Sequence, residues 1–157
     1  MSPRRLGDAW RQASQRIDRV DARYLLEAVC GCSHSDLIAH PDKTLDVGAA
    51  ERFDALLARR ERGEPLAYLL GSAWFAGLEF EVSPAVLIPR PETELLIDLA
   101  VERASVLANP AIVDLGTGSG IIPVLLARRC PQTIVSAVEL SAPALAVAQA
   151  KARRHGV

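Results

Sequence analysis

The chain has 157 residues, enough for one ordinary domain or for one small domain with part of another. Hydrophobic residues make up 50% and charged residues 24%, which excludes a disordered or fibrous chain. The formal net charge of −1 excludes a protein that binds nucleic acid mainly through bulk positive charge. The sequence predicts no secretory leader and no membrane span, so we expect a cytoplasmic protein.

Three cysteines are too few for a closed disulfide framework. Cys30, Cys32 and His34 lie close together, but their one-residue gaps are not typical of zinc ligands. Buried free thiols are the commoner alternative. The sequence therefore predicts no metal site.

The first seventy or so residues predict short amphipathic helices joined by tight turns, a small helical module with its own core. The predicted helix starts are Ser2-Pro3, Asp21, Ser35, Leu45 and Glu64-Pro65.

The apolar period then changes from helical to alternating. Residues 74–82 predict a strand, Ser83-Pro84 a turn, and residues 86–88 a returning strand, which together indicate a β-hairpin. The prolines at 89 and 91 end this hairpin, and Glu92 begins a predicted helix that runs to about Leu107.

The last third of the chain predicts alternating strands and helices. A buried strand from Ala111 leads into a glycine-rich loop, a helix over 121–129, and a second strand over 133–138. Glu139 closes that strand, and Ser141 caps a helix that ends at His155-Gly156. This order predicts the front half of a nucleotide-binding sheet.

The glycine-rich loop gives the strongest ligand signal, although a turn that binds nothing remains an alternative. Gly116, Gly118 and Gly120 let the backbone turn sharply and approach a ligand beside a helix start. Glu139 lies at the tip of the next strand, where a carboxylate can accept hydrogen bonds from ribose hydroxyls. Ile121 stands where a dinucleotide fingerprint needs its third glycine. The loop instead resembles the first motif of S-adenosylmethionine-dependent methyltransferases.

A second motif is the segment Leu87-Ile88-Pro89-Arg90-Pro91-Glu92-Thr93-Glu94. Alone, it is typical of a proline-bounded turn before a capped helix. With the segment 63–71 before it and the glycine-rich loop after it, the chain resembles the HemK/PrmC family. Members of that family are protein-(glutamine-N5) methyltransferases that modify peptide chain release factors. The resemblance covers most of the chain and is weakest in the first sixty residues.

The resemblance implies an α + α/β fold with three parts. Residues 1–72 would form a small helical bundle that docks the release factor, and residues 73–90 a β-hairpin linker. Residues 91–157 would form the N-terminal part of a Rossmann-like class I methyltransferase domain that binds S-adenosylmethionine. The resemblance also implies no contact with DNA or membranes, and a monomer when the protein is complete.

The resemblance further implies where ligands lie. Arg90 and Thr93 would lie on the substrate side, near the mouth of the active site. The family's catalytic Asn-Pro-Pro-Tyr motif is absent, because Asn109-Pro110 precedes the first strand in a predicted loop and continues as Ala-Ile. We therefore predict no catalytic residue in this chain. The implied cofactor-binding residues are Asp114, Gly116, Thr117, Gly118, Ser119, Gly120 and Glu139.

Methylation of a glutamine side chain in a release factor is the function that the resemblance implies. A ribosomal-protein glutamine and a non-catalytic release-factor-binding fragment are the alternatives. An adenine amino group in DNA is more distant, because the chain has a helical front module and no net positive charge. We expect the 157-residue chain to be an incomplete, inactive portion of the enzyme. The alternative is a small complete protein that pairs its strands with a second copy.

Overall fold

The structure, a computed structural model, describes residues 4–157. The predicted cap and first turn at Ser2-Pro3 lie outside the described residues. The chain divides after Leu70 into two compact units, which we call unit 1 and unit 2.

Unit 1 is helical. Its elements are α1 (Leu6–Ala13), α2 (Arg19–Cys30), α3 (His34–Ala39), α4 (Val47–Glu61) and α5 (Leu66–Leu70). Eleven buried residues from four of these helices and the segment before α4 form one apolar cluster, as the sequence predicts for a module with its own core. They are Leu6, Ala9, Ala13, Ala22, Leu25, Leu26, Leu37, Leu45, Ala49, Phe53 and Leu57.

Three predicted helix starts in unit 1 are wrong by a few residues. The carboxylate of Asp18, not Asp21, caps α2 by accepting from the N–H groups of Val20 and Asp21. Ser33, not Ser35, caps α3, because Asp36 stands three residues after Ser33 and completes a reciprocal capping box.

The predicted start at Leu45 is also displaced, because Asp46 caps α4 and the helix begins at Val47. Leu45 instead lies in the segment before α4 that pairs with the first described residues of unit 1. Its N–H donates to the carbonyl of Arg4 over 2.8 Å.

Unit 2 begins with a β-hairpin whose strands differ from the predicted ones. Strands β1 (Ser72–Phe75) and β2 (Leu78–Glu81) are antiparallel, with Phe75 opposite Leu78. The two-residue turn between them, Ala76-Gly77, has φ angles of 48° and 76°, as tight hairpin turns require. The prediction of one strand over 74–82 is wrong because it read through this turn, and residues 86–88 form no strand.

The rest of unit 2 follows the predicted order. It contains α6 (Glu92–Ser105), β3 (Ala111–Leu115), α7 (Ile121–Arg129), β4 (Ile134–Val138) and α8 (Ala142–His155). Strands β3 and β4 are parallel, with Ala111 opposite Ile134 and Leu115 opposite Val138. The predicted α + α/β fold class is confirmed.

One face of the β3–β4 sheet is covered and the other is open. Ile112 and Val135 pack on an apolar cluster built from the hairpin, α6 and α7. The buried members of that cluster are Phe75, Phe80, Ile97, Ile121, Val124, Leu125 and Leu126. The opposite face carries exposed apolar side chains, those of Val113, Leu115, Ile134 and Val138. Among residues 4–157, no helix has the length and apolar character that crossing a bilayer requires.

Candidate functional site

The glycine-rich loop connects β3 to α7 at the carboxyl end of the parallel sheet. Gly116, Gly118 and Gly120 have φ angles of 77°, 54° and 74°, a region that L side chains rarely adopt. The N–H groups of Gly116 and Thr117 both donate to the carbonyl of Val138, over 2.8 and 3.0 Å. The loop is thereby fixed to the end of β4.

Two glycines of this loop meet different requirements. A Cβ on Gly120 would lie 2.7 Å from the Cβ and 2.9 Å from the Cα of Ala148, so only a hydrogen atom fits there against α8. A Cβ on Gly116 would meet no heavy atom within 4 Å. Gly120 therefore permits close packing, whereas Gly116 permits a backbone turn and leaves its surroundings open.

Glu139 reaches the loop from the end of β4. Its carboxylate accepts hydrogen bonds from the N–H of Gly118 over 2.8 Å and from the N–H of Ser141 over 2.9 Å. These bonds, that from Ser141 first, hold the pKa of the Glu139 carboxyl below its ordinary range. The carboxylate is consequently ionised at neutral pH and held in one orientation. Each of its oxygens retains a lone pair for a further donor.

Two polar atoms beside the loop lack a partner. Asp114 Oδ2 and Thr117 Oγ1 are buried and make no hydrogen bond among the described residues. Burying a polar atom without a partner is costly, so such atoms mark places where water or a ligand completes the bonding. These residues suit a ligand with hydroxyl and charged polar groups, held against the loop and Glu139.

The neighbouring cavity is a different feature. A cavity of about 250 Å³ lies among α7, α8 and β4, and Thr117 and Gly120 contribute to its wall. Its other lining residues are mostly apolar, none of them is titratable, and Glu139 is not among them. The cavity therefore lies beside the loop, apart from the polar site.

Comparison with known proteins identifies the family. Residues 8–71 match the family model described as PrmC N-terminal domain, and residues 91–157 match the one described as Methyltransferase small domain. The chain belongs to the HemK/PrmC family. This confirms the resemblance that the sequence motifs indicate.

Curated relatives named "Release factor glutamine methyltransferase" align with most of the chain. The protein from Burkholderia pseudomallei is 49% identical over 138 residues, which cover 88% of the chain and 48% of that protein. The protein from Bordetella pertussis is 46% identical over 144 residues, covering 92% of the chain and 53% of that protein. The chain spans about half the length of the curated relatives it matches.

Within this HemK/PrmC chain, the implied cofactor-binding residues lie on one continuous segment and one strand tip. Asp114 lies on β3, Gly116 to Gly120 form the loop, and Glu139 follows β4. Thr117 and Ser119 are both buried. Sequence reasoning missed Ala148, which packs against Gly120, although alanine at 144 and 148 of the same helix is a signal of a closely packed face.

The substrate-side candidates lie at the start of α6. Arg90 is exposed, and its carbonyl accepts from the N–H of Thr93 over 2.9 Å. No hydrogen bond or ion pair among the described residues joins either side chain to the loop or to Glu139. Glu94, which sequence reasoning did not select, fixes this segment by accepting from the N–H of Ala76 in the hairpin turn.

The remaining candidates are Asn109-Pro110 and the cysteines. Asn109 is exposed just before β3, and the carbonyl of Pro110 accepts from the N–H of Ile134. Cys30, Cys32 and Cys130 are free thiols. Within residues 4–157, no three His, Cys, Asp or Glu side chains are grouped as a metal ion would need.

Cys30 is expected to react slowly with iodoacetamide. Burial raises the pKa of its thiol to about 11, which reduces the reactive thiolate at pH 8. We expect alkylation of Cys30 to be at least about tenfold slower in the folded chain than in urea, measured by fragment-ion mass spectrometry. Equal rates in the two states would contradict the burial of this thiol.

Proposed function

We propose that this chain provides the cofactor-binding part and the docking unit of a release factor glutamine methyltransferase. The reaction would transfer a methyl group from S-adenosylmethionine to a glutamine side-chain nitrogen. The observation that carries the proposal is the Glu139 carboxylate, fixed 2.8 Å from the N–H of Gly118 beside two unpartnered polar atoms. The names of the relatives support the reaction and the substrate.

The chain's residues fit S-adenosylmethionine by their chemistry. The oriented carboxylate of Glu139 would accept hydrogen bonds from the two ribose hydroxyls. The open backbone at Gly116 and Gly118 would allow the methionine part to approach, and Asp114 and Thr117 would satisfy polar groups near it. When bound, S-adenosylmethionine supplies a methyl group on a sulfonium, which is electrophilic enough to react with a weak nucleophile.

The acceptor nitrogen imposes a second requirement. An amide nitrogen is a poor nucleophile because its lone pair is delocalised, so the enzyme must position it and accept its hydrogens. The described residues include no Asn-Pro-Pro-Tyr segment, and we assign no catalytic residue among them. We propose Arg90 and Thr93 as substrate-side residues, because they lie in the motif shared with the family and Arg90 is exposed.

We also propose a role for each part of the chain in this reaction. We propose residues 1–72 as the release-factor docking domain, residues 73–90 as the linker, and residues 91–157 as part of the methyltransferase domain. The separate apolar core of unit 1 supports the first of these. Since release factors act on ribosomes, we propose a cytoplasmic enzyme, monomeric when complete, that contacts neither DNA nor membranes.

Replacement of Glu139 by alanine is expected to weaken S-adenosylmethionine binding by roughly tenfold to a hundredfold, because two charge-assisted hydrogen bonds to the ribose are lost. The measurement is isothermal titration calorimetry on a version of the chain extended to the length of its relatives. Glu102→Ala is the matched control, since Glu102 is an exposed carboxylate on α6. Unchanged affinity in Glu139→Ala would exclude the proposed cofactor site.

The substrate is tested with labelled methyl groups. The extended protein is incubated with release factor, ribosomes or DNA in parallel, and the label is located by mass spectrometry. Label on a release-factor glutamine supports the proposal. Label confined to a ribosomal protein or to DNA would overturn the substrate assignment while leaving the cofactor site intact.

A further inference from the structure

Lys151 is buried without a polar partner. The residue is 1% exposed, and its Nζ makes no hydrogen bond within the described part of the chain. The Nζ lies 5.3 Å from the ring centroid of Phe80, so the amine of α8 faces an aromatic ring of β2. Lysine is rarely buried without a carboxylate partner, because removing an ammonium group from water is costly.

His155 occupies the next turn of the same helix face. Its ring lies 5.1 Å from that of Phe80, its Nε2 is buried, and the backbone of Glu79 lies beside the ring. Two basic side chains, one turn apart on α8, therefore hold a single aromatic ring of the hairpin. We call Phe80, Lys151 and His155 the hairpin clamp.

The charges around the hairpin clamp come from three elements. On β2, Glu81 accepts a 2.6 Å hydrogen bond from Arg154, and Glu79 lies 3.9 Å from the same guanidinium. On α7, Arg128 lies 3.4 Å from His155 Nδ1. The two acidic groups are thus occupied by Arg154 of α8, and neither makes an ion pair with Lys151.

This environment penalises the charged form of both bases. Burial lowers the pKa of Lys151 to about 8, opposed only in part by the charge of Glu81. Burial first, and then the charge of Arg128, lowers the pKa of His155 below its ordinary range, and a hydrogen bond with the backbone of Glu79 opposes this only in part. Protonation of either side chain therefore opposes the packing of the hairpin on α8.

Helix α8 connects the hairpin clamp to the glycine-rich loop. Ala148, one turn before Lys151, is the residue that packs against Gly120. Ser141, which caps the same helix, donates its N–H to Glu139. A displacement of α8 at the clamp would therefore be transmitted to both sides of the candidate cofactor site.

We propose that Lys151 is a positioning residue whose neutral amine seats α8 on the hairpin, and whose protonation loosens α8 and shifts the glycine-rich loop. The inference rests on the proposed function for its significance, since it adds a pH response to the same site. The folded state prefers the neutral amine, so it binds fewer protons than the unfolded chain between pH 8 and the ordinary lysine range. The stability of unit 2 is therefore expected to rise with pH across that window.

The first test measures the amine directly. The chain contains only two lysines, Lys43 and Lys151, so labelling lysine Cε with carbon-13 gives two side-chain signals in an NMR titration. The exposed Lys43 is the internal reference. We expect the Lys151 signal to titrate at about pH 8. If the Lys151 signal titrates in the ordinary lysine range, at about pH 10.4, the proposal is wrong.

The second test measures how the stability of unit 2 depends on pH. Urea unfolding of unit 2 is followed by NMR from pH 7 to 10 in the natural chain, in Lys151→Met and in Lys43→Met. We expect the unfolding constant of the natural chain to fall by about tenfold or more over this range, because the unfolded chain binds the proton more tightly than the folded chain does. Lys43→Met should retain that slope, and Lys151→Met should lose it and be more stable at pH 7.

The glycine amides distinguish a positioning role from a local one. Resonances of Gly116, Gly118 and Gly120 should shift with the Lys151 titration in the natural chain and not in Lys151→Met. A pH dependence of the unfolding constant that persists in Lys151→Met would overturn the proposal. Glycine resonances that do not change during the Lys151 titration would also overturn it. None of these readouts requires S-adenosylmethionine, so failure of the proposed cofactor site would be seen separately in calorimetry.

Discussion

Gly120→Ala is expected to destabilise unit 2 by about 2–5 kcal/mol. The new methyl group would lie 2.7 Å from the Cβ of Ala148, and the residue would have to keep a φ of 74°. A left-handed conformation costs an L residue about 1–2 kcal/mol, and overpacking a buried contact adds about 1–3 kcal/mol. The measurement is urea unfolding of the natural and substituted chains, with NMR signals of unit 2 as the readout.

Gly116→Ala is the matched control for this prediction. Gly116 has a similar φ of 77°, but its Cβ would meet no heavy atom within 4 Å. We expect this variant to cost only the conformational part, about 1–2 kcal/mol. If the two variants lose the same stability, the close contact between the loop and α8 is absent.

Phe53→Ala is expected to destabilise unit 1 by about 3–5 kcal/mol, because it removes a large side chain from the centre of the helical core. Phe53 is fully buried on α4, where the Arg4 guanidinium lies 5.5 Å from its ring centroid. Trp10 fluorescence in a Trp74→Phe background reports the unfolding of this unit, since Trp10 packs against the same core.

Val47→Ala supplies the control on the same helix. Val47 is 76% exposed, so its truncation should change stability by no more than about 0.5 kcal/mol. A loss in Phe53→Ala as small as that in Val47→Ala would show that the apolar cluster does not stabilise unit 1.

The α/β part of unit 2 was predictable because its signals are local. Apolar strands, the three glycines and Ser141 each specify their own conformation within a few residues, and the predicted ranges for β3, α7 and β4 lie close to the observed ones. The place of Glu139 at the end of β4 also followed from its position after a predicted strand. These signals require no knowledge of distant residues.

The predictions of the hairpin strands and of the α3 cap were wrong because two local structures were compatible with the sequence. Alternation across residues 74–82 suits a single strand, and only the turn at Ala76-Gly77 divides this segment between two strands. At α3, Ser33 and Ser35 are both good caps, and the decision lies with Asp36, whose carboxylate accepts from the N–H of Ser33. Sequence periodicity does not resolve such choices.

The contacts of α8 were beyond sequence reasoning for another reason. Ala148 meets Gly120, and Lys151 meets Phe80, across segments that are distant in the chain. A lysine in an otherwise ordinary amphipathic helix indicates an exposed face, since lysine is rarely buried. Only the three-dimensional packing reveals that this lysine points inward.

The open face of the β3–β4 sheet has an expected consequence for this chain in concentrated solution. Val113, Leu115, Ile134 and Val138 present a flat apolar patch, and within residues 4–157 each of the two strands has a hydrogen-bonding edge without a neighbour. With a net charge of only −1, electrostatic repulsion between molecules is weak. We expect attraction between these apolar faces, and pairing of the open strand edges, to promote association of the 157-residue chain as its concentration rises.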